Sequence, residues 1–307
     1  MTTSLIPYET TYSLPAKTLA SVHALCGVFK TDAGTQFTYT PTQLLIIATL
    51  AGRVHPRVQL VLPTQYGKSE SVSQGILLRA SVKREKWLIV APTKKKAEII
   101  MGYIIKHIFD HVLFSSQLIY DEPMERLKQH KSKEHLTFRH GGEIMVLSAD
   151  AKNRQRTKEV LMGFGAPNVV IDESALIEDD LYATIKRMVG GFADNFILEI
   201  GNPFTRGHFL RTWVKGRYQR VWVDYKQALE EGWFSEDLID EMREEAFFVV
   251  LYECLFPDGD IVRSDGYRRL IIDSIIENAF ITEEPPIVEG DRPILGVDVA
   301  GGGENET

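Results

Sequence analysis

The feature that most constrains this chain is an apolar run that ends in a Gly-Lys-Ser turn. Residues 58–62 have the character of a buried strand, residues 63–66 form a short loop, and Gly67, Lys68 and Ser69 lead into a helix-forming segment. A strand, a turn and a helix N-terminus bring backbone N–H groups, an ammonium and a hydroxyl around one point. The sequence therefore predicts a loop that binds the phosphates of a nucleotide together with Mg²⁺.

This loop departs from the usual pattern. The glycine expected five residues before Gly67 is Leu62, and Pro63 has no N–H to offer. We predict that Thr64 and Gln65, which complete the loop, contact the nucleotide. A plain surface turn between a strand and a helix is the alternative.

A second motif contains two adjacent carboxylates at the end of an apolar run. Residues 168–171 have the pattern of a buried strand, and Asp172 and Glu173 follow directly. At the carboxyl end of a strand, we predict that Asp172 holds Mg²⁺ and that Glu173 polarises the attacking water. A strand ending in a solvated acidic turn is the alternative, and the phosphate loop upstream favours the catalytic interpretation.

Length and composition limit the class of protein in which these motifs occur. The chain has 307 residues and 44% hydrophobic content, enough for a large α/β core with a smaller subdomain. Two cysteines, Cys26 and Cys254, form no disulfide framework and favour a reducing compartment. No long apolar span or leader is visible, which predicts a soluble protein without a membrane partner. His107 and His111 share a helical face without a third ligand, so a solvated face is predicted rather than a metal site.

Charge is divided unevenly along the chain. Residues 228–307 carry 21 acidic and 5 basic side chains, whereas residues 1–227 carry 30 basic and 21 acidic ones. The bases cluster in residues 83–86, 94–96, 126–133 and 152–158. Such clusters are typical of surfaces that follow a phosphate backbone, and also of solvated helix faces.

Helical and strand patterns alternate after the phosphate loop. Helices are predicted at residues 15–29, 44–50, 70–82, 93–109 and 179–188, and strands at 58–62, 87–91, near 136, 144–147, 169–171 and 196–200. Alternation of this kind predicts a mainly parallel sheet covered by helices on both faces.

Two amides flank the predicted site in the sequence. Gln43 lies upstream of the loop, and its amide is able to bond adenine as donor and acceptor. Asn202 follows the last predicted strand in Gly201-Asn202-Pro203, where a polar side chain can sense the γ-phosphate. An ordinary Asn-Pro turn is the alternative for Asn202.

The order of these pieces resembles the large terminase subunits of bacteriophages, the motors that pump DNA into procapsids. The adenine, Walker A, Ia, Walker B and coupling motifs of that family are matched in order by Thr40-Pro41-Thr42-Gln43, Gly67-Lys68-Ser69, Ala91-Pro92-Thr93, residues 169–173 and Gly201-Asn202-Pro203. The resemblance implies a P-loop NTPase fold of the ASCE, RecA-like kind over residues 1–204, with ATP and Mg²⁺ as cofactors.

The remaining residues extend the resemblance. Residues 205–290 resemble the family's linker subdomain, with Ser235 capping a helix that reaches Phe247. Residues 291–307 resemble the first strand of the ribonuclease-H-like nuclease, in which Asp298 would bind metal. A two-metal nuclease needs several carboxylates from separate strands, and here we expect only Asp298 and Glu304 to serve, so endonuclease activity is expected only in a longer chain.

Aromatic residues are frequent in the predicted linker. Because no basic residues are interleaved with them, we predict that they belong to the core rather than to a base-stacking platform. They are Trp213, Trp222, Trp233, Phe247 and Phe248.

The family's arginine is missing from both of its usual places. The loop position holds Thr64, and the Leu-Arg-Gly turn before Walker B reads Leu161-Met162-Gly163. We predict that Arg154 or Arg156 replaces it, in the same subunit or in a neighbour. DNA binding or plain solvation is the alternative for both.

The resemblance also implies partners. These are double-stranded DNA, the portal protein of the procapsid, the small terminase subunit and further copies in a ring, with a monomer as the alternative in isolation. The implied location is the cytoplasm of an infected bacterium. Two other functions remain open, a DNA-dependent ATPase of the superfamily 2 helicase kind and a catalytically silent module that binds DNA or capsid.

Overall fold

The computed structural model describes residues 6–118 and 134–257, which lie in the first of two compact units, Met1–Leu270. The second unit, Ile271–Thr307, falls outside the described residues. The predicted nuclease segment, Asp298 and the basic cluster at 126–133 therefore also lie outside them.

A mainly parallel sheet forms the centre of the described residues. Its strands are β1 (Arg57–Val61), β2 (Lys86–Ala91), β3 (His135–Thr137), β4 (Glu143–Ser148), β5 (Asn168–Asp172), β6 (Phe196–Gly201) and β7 (Gln219–Trp222). The order across the sheet is β3-β4-β2-β5-β6-β1-β7. Every neighbouring pair is parallel except β3 and β4, which are antiparallel. The predicted parallel sheet is confirmed.

Helices cover both faces of this sheet, as predicted. They are α1 (Ala16–Cys26), α2 (Pro41–Gly52), α3 (Lys68–Ala80), α4 (Lys94–Asp110), α5 (Val112–Ser115), α6 (Arg154–Met162), α7 (Asp179–Met188), α8 (His208–Lys215), α9 (Tyr225–Glu230), α10 (Glu236–Met242) and α11 (Phe248–Leu251).

The two faces of β2 show how the core is divided. Trp87 and Ile89 join a cluster that includes α2, α3 and α4 residues, whereas Leu88 and Val90 join a second cluster with α6 and α7. Because side chains alternate along a strand, one apolar run serves both cores. No helix in the described part of the chain is long and apolar enough to cross a membrane.

Local capping signals set where several helices begin. Thr40 caps α2 in a reciprocal box with Gln43 and is followed by Pro41 at the first turn. Ser235 caps α10 as predicted, through the N–H of Leu238 at 3.3 Å. The prediction that this helix reaches Phe247 is wrong, since α10 ends at Met242. Acidic residues follow there, and negative charge is unfavourable at a helix C-terminus.

The region predicted as a linker contributes to the main sheet. Strand β7 pairs with β1 in parallel register, with Leu60 opposite Val221. The division at residue 204 stays a prediction, but the sheet continues past it. Trp213 is fully buried as predicted, whereas Trp233 and Phe247 are 38% and 41% exposed, so the core assignment is wrong for these two.

Helices α2 and α3 pack at very close range, and this contact positions the phosphate loop that precedes α3. A Cβ at Gly75 would lie 2.7 Å from Leu50 Cβ and 3.1 Å from the Ile47 carbonyl oxygen. Both are fixed parts of α2. Only glycine therefore allows α3 to approach α2 this closely.

Gly75→Ala is expected to lower the free energy of unfolding by about 1–3 kcal/mol, because the added methyl forces the two helices apart. Urea denaturation measures this change. Gly102→Ala in α4 is the matched control, since a Cβ there meets nothing within 4 Å. That control should raise the free energy of unfolding by about 0.5–1 kcal/mol, the usual preference for alanine in a helix interior. Equal effects of the two changes would contradict the close contact.

Candidate nucleotide-binding site

Three adjacent strands end at the same edge of the sheet and bring the residues of the predicted site together there. In the parallel register Val61 lies opposite Gly201, and Asp172 lies opposite Ile200. The phosphate loop after β1, the Asp172-Glu173 pair at the end of β5 and Asn202 after β6 therefore meet at the carboxyl edge. Ligands of open α/β sheets bind at this edge.

The loop reaches α3 through left-handed backbone conformations. Gln65 has φ +56° and Gly67 has φ +79°. A Cβ at Gly67 would lie 2.8 Å from Gln43 Nε2, so glycine serves both the backbone angle and the close approach. No side chain caps the N-terminus of α3, which starts at Lys68. Its first N–H groups have no partner inside the helix and form a ready anion site.

Lys68 is the centre of the site. It is only 8% exposed, and its ammonium donates to the carbonyl oxygens of Leu62 at 3.2 Å and Pro63 at 3.0 Å and to Asn202 Oδ1 at 2.8 Å. Burial lowers the pKa of Lys68, while the negative charges of Glu173 and Asp172 oppose that shift. The ammonium is thus held at the loop by acceptors that a phosphate could replace.

Asp172 is 6% exposed and interacts electrostatically with this ammonium. Burial and the neighbouring Glu173 raise the pKa of Asp172 to about 7, and Lys68 and Lys96 oppose the rise. Lys96 comes from the cluster 94–96, which the sequence suggested only as a basic patch.

Glu173 has an unusual backbone and an unsatisfied side chain. Its φ is +48°, a left-handed value that is rare outside glycine. Gly201 permits this turn, since a Cβ there would lie 3.2 Å from Glu173 Cα. One carboxylate oxygen, Oε2, is buried without a hydrogen-bond partner among the described residues. Backbone strain with an unpaired acceptor is the pattern found where a residue is held for a ligand or a water.

The donors around Lys68 fit Mg²⁺ only in part. The Ser69 hydroxyl and the Asp172 carboxylate are hard oxygen donors of the kind Mg²⁺ prefers. The described residues contain no group of three or more His, Cys, Asp or Glu able to hold a metal ion alone. A Mg²⁺ ion here would therefore need phosphate oxygens and water to complete its shell.

Gln43 braces the loop from α2. Its Oε1 accepts from the Thr40 N–H at 3.0 Å, and its Nε2 donates to the Tyr66 carbonyl at 3.0 Å. A second N–H and a second lone pair remain for another partner. Beside it lies a cavity of about 270 Å³ lined by Gln43, Gly67 and Trp233, among others. The adenine contact of Gln43 stays a prediction.

Two side chains make contacts that the sequence did not predict. Trp233 donates from Nε1 to the Gln65 carbonyl oxygen at 3.0 Å and contacts the Tyr66 ring. His107 is buried against Glu70 at 2.5 Å, so the predicted solvated face is wrong for this residue. No sequence signal distinguished Trp233 from the other linker aromatics.

Asn202 joins the site to the end of the described chain. Its Nδ2 donates to the carbonyl oxygens of Leu62 at 3.0 Å and Leu251 at 3.2 Å, while its Oδ1 accepts from Lys68. The Thr64 N–H also donates to the Leu251 oxygen, at 2.8 Å. The Thr64 amide predicted to contact the nucleotide is therefore bound to α11 here.

The two candidate arginines lie elsewhere. Arg154 forms ion pairs with Glu178 and, at 3.3 Å, with Asp180. Arg156 is exposed and lines a separate groove with Lys94 and others. Both belong to α6, which follows β4, and β4 is four strand spacings from β1, or about 19 Å. The structure does not bring either arginine to the loop.

A buried polar cluster lies directly behind Glu173. Ser174 Oγ is 3.2 Å from His208 Nε2, the His208 ring stacks on Tyr182 at 3.8 Å between centroids, and the Tyr182 hydroxyl donates to Glu199. Glu199 is fully buried, and burial raises its pKa to about 7 despite the Tyr182 hydrogen bond. A glutamate inside the apolar strand Phe-Ile-Leu-Glu-Ile was the available signal for this cluster.

Glu199 predicts a pH dependence of stability. Its folded pKa is raised, so its contribution is favourable below about pH 4.5 and is lost as pH rises through about 7. Wild type should lose about 3 kcal/mol of unfolding free energy from this group over that range. Glu199→Gln should remove the loss, because the amide carries no charge and still accepts from Tyr182.

Urea denaturation at several pH values tests this prediction. The difference between wild type and Glu199→Gln is the informative quantity, because other titrating groups cancel in it. Glu244→Gln, at an exposed position, should run parallel to wild type and serves as the control. A Glu199→Gln curve parallel to wild type would show that Glu199 does not titrate in this range.

Solved structures of phage large terminases share this fold. The sequence matches no family model and no curated protein sequence. The large terminase from a thermophilic bacteriophage has a TM-score of 0.55 at 11% identity, over 75% of this chain and 57% of that one. The HK97 bacteriophage large terminase gives 0.57 at 15% identity, over 78% and 55%.

An isolated ATPase domain matches along nearly its full length. The ATPase domain of the Thermus phage P74-26 large terminase has a TM-score of 0.53 at 17% identity, over 74% of this chain and 98% of that domain. Structures of the thermophilic-phage large terminase also exist in complex with ADP and with ATP-gamma-S. The chain thus spans just over half of that protein and of the HK97 large terminase. It has the fold of phage large terminase ATPase domains, as the order of its motifs predicted.

Proposed function

We propose that this chain is the ATP-hydrolysing motor domain of a viral terminase that packages double-stranded DNA. One observation carries the proposal, the buried Lys68 ammonium that contacts the loop and Asn202 beside the Asp172-Glu173 pair. A phosphate cradle, two acids and a sensor amide at one sheet edge are the parts that phosphoryl transfer to water requires. The likeness to terminase ATPase domains supports the same interpretation at the level of the fold.

The chain binds the phosphates through α3 and Lys68. The free N–H groups at the helix N-terminus face the β- and γ-phosphates, and Lys68 adds a positive charge. Ser69 and Asp172 would hold Mg²⁺, which when bound neutralises charge on the phosphate oxygens. Burial makes each of these interactions stronger than it would be in water.

Glu173 acts on the attacking water. Its unpaired Oε2 is the acceptor that a water proton needs, and the left-handed backbone fixes the direction of the side chain. Asp172 and Glu173 are adjacent in sequence but have separate tasks. One orients the metal and the other accepts the proton.

Asn202 couples the nucleotide to the linker. Lys68 contacts Asn202 and two loop carbonyls in the described structure, and it has to release some of these contacts in order to reach a phosphate. Asn202 also holds Leu251 of α11. A change of partner at Lys68 is therefore passed to α11 through a single side chain.

The missing arginine is supplied by a neighbouring subunit. Arg154 is already paired with Glu178 and Asp180, whereas Arg156 is exposed and forms no ion pair among the described residues. The distance across the sheet argues against action within one chain. Arg156 in a ring of subunits fits both facts.

The proposed packaging function also implies partners. We infer that the motor acts on double-stranded DNA in a ring on the portal of a procapsid, with a small terminase subunit, in the cytoplasm of an infected bacterium. Endonuclease activity would belong to a longer chain. These partners follow from the family whose fold the chain shares.

ATP hydrolysis by wild type should require Mg²⁺ and rise more than linearly with protein concentration. Glu173→Gln should abolish turnover while ATP still binds, because the water loses its acceptor. Arg156→Ala should lower turnover by about a thousandfold or more, the usual value of an arginine finger. Arg154→Ala is the matched comparison and should have a much smaller effect.

Mixing the two inactive variants tests the action in trans. In the mixture, an Arg156→Ala subunit supplies an intact Glu173 site and a neighbouring Glu173→Gln subunit supplies Arg156. Such an interface should recover activity. Turnover that survives Glu173→Gln would contradict the assignment. Tight ATP binding without turnover at any concentration, with DNA present, would favour the silent module instead.

Asn202→Ala tests the coupling. In wild type, ATP-gamma-S with Mg²⁺ should speed amide hydrogen exchange in Phe248–Leu251, because α11 loses the contact of Asn202 with the Leu251 oxygen and opens more often. In Asn202→Ala the amide hydrogens of this segment should exchange fast both with and without the nucleotide. Asn195→Ala, at the opposite end of β6, is the control and should keep the wild-type response. A response that persists in Asn202→Ala would exclude this route.

A further inference from the structure

A second cavity lies between α7 and α8, away from the phosphate loop. Its volume is about 290 Å³. Four cations line it, together with Asp179 and the side chains of Tyr182, Thr212 and Tyr218; the cations are Lys186, Arg211, Lys215 and Arg217. We propose that this groove binds the phosphate backbone of duplex DNA. This inference rests on the proposed packaging function and names the surface at which the motor would contact DNA.

The positive charge of the groove is compensated only in part among the described residues. Its one carboxylate, Asp179, is occupied by Arg211 at 2.7 Å and by the His208 N–H at 2.7 Å. Lys186, Lys215 and Arg217 are exposed and form no ion pair among the described residues. Lys186 lies over the Tyr182 ring, 5.5 Å from its centroid. Three cations without an ion pair around one groove attract a polyanion with repeated charges.

The floor of the groove is formed by two buried aromatic side chains. Tyr182 and Tyr218 are each 6% exposed, and the Tyr218 hydroxyl is buried, with Tyr182 and Glu199 as its neighbours. The donors that a ligand would meet are therefore the cations of the groove. Arginine forks, which Arg211 and Arg217 bring to the groove, are common donors to phosphate oxygens.

The groove is connected to the catalytic pair by a short chain of contacts. Arg211 binds Asp179, and Asp179 holds the backbone and ring of His208, whose Nε2 lies 3.2 Å from Ser174 Oγ. Ser174 directly follows Glu173. A phosphate that engages Arg211 competes with Asp179 for it, so occupancy of the groove changes the support of His208 and of the residue next to the catalytic glutamate.

An acidic segment of a second copy is the other polyanion this chain could offer, since residues 228–307 carry 21 acids and 5 bases. The link to Glu173 favours DNA, because a packaging motor has to couple ATP hydrolysis to bound DNA. Carboxylates also lack the regular spacing that a groove between two helices can follow.

Lys215→Ala with Arg217→Ala removes two groove cations without touching the nucleotide site. We measure binding of a short labelled DNA duplex by fluorescence anisotropy, without nucleotide, over a range of salt concentrations. The double variant should bind about tenfold more weakly, and the slope of log K against log salt should fall by about two, one for each lost phosphate contact. Basal ATP turnover should stay at the wild-type level.

Arg187→Ala with Lys226→Ala is the matched control. It removes the same charge, but Arg187 lines a different cavity although it follows Lys186 on α7, and Lys226 lies on α9. Its affinity and salt slope should remain close to wild type. Wild-type affinity and slope in the groove variant would overturn the proposal. A changed oligomeric state with unchanged DNA binding would also overturn it and assign the groove to an acidic segment of a second copy.

Ser174→Ala tests the connection to catalysis. It should keep the affinity for DNA and lose the acceleration of ATP turnover that DNA causes in wild type. Acceleration that survives in Ser174→Ala would refute the connection. Groove-dependent DNA binding in a chain that never hydrolyses ATP would instead refute the motor and leave the groove standing.

Discussion

A buried ammonium determines how the carboxyl edge of this sheet is organised. An unpaired charge taken out of water is strongly unfavourable, so Lys68 has to be surrounded by acceptors. The acceptors come from the loop carbonyls of Leu62 and Pro63 and from Asn202, with Asp172 and Glu173 near enough to favour the charged form. One side chain thus fixes the loop, the end of β6 and the end of β5 relative to each other. The same contacts are those that a bound phosphate would replace.

The sequence predicted what local patterns encode. The loop, the acid pair and Asn202 each follow an apolar strand, and parallel strands bring such residues to one edge, so their convergence could be foreseen. The place of β7 could not, because Gln219–Trp222 gains its partner only through β1, far away along the chain. The same holds for Trp233, whose contact with Gln65 depends on how the linker folds back.

Two features that the sequence did not reveal have the same physical origin. His107 has a helical spacing that fits an exposed face, yet Glu70 on α3 offers it a buried partner that no local pattern reveals. The candidate arginines follow the motif order, yet β2, β5 and β6 lie between their preceding strand, β4, and the strand that leads into the loop, β1. Helix periodicity and motif order report on one element at a time, whereas the distance between elements depends on the order of strands in the sheet.

Strand β6 connects the nucleotide site with the buried polar cluster around Glu199. Its carboxyl end holds Asn202 against Lys68, and its middle holds Glu199 among Tyr182 and Ser174 on the side of the basic groove. A buried carboxyl group is usually unfavourable, and a hydrophobic residue in its place would give a more stable strand. The cost is understandable if Glu199 orients the polar cluster behind Glu173, because hydrogen bonds fix a direction that apolar packing would leave free. Glu173 is then flanked on the nucleotide side by Lys68 and on the groove side by Ser174, so a change at either face reaches it through no more than a few contacts.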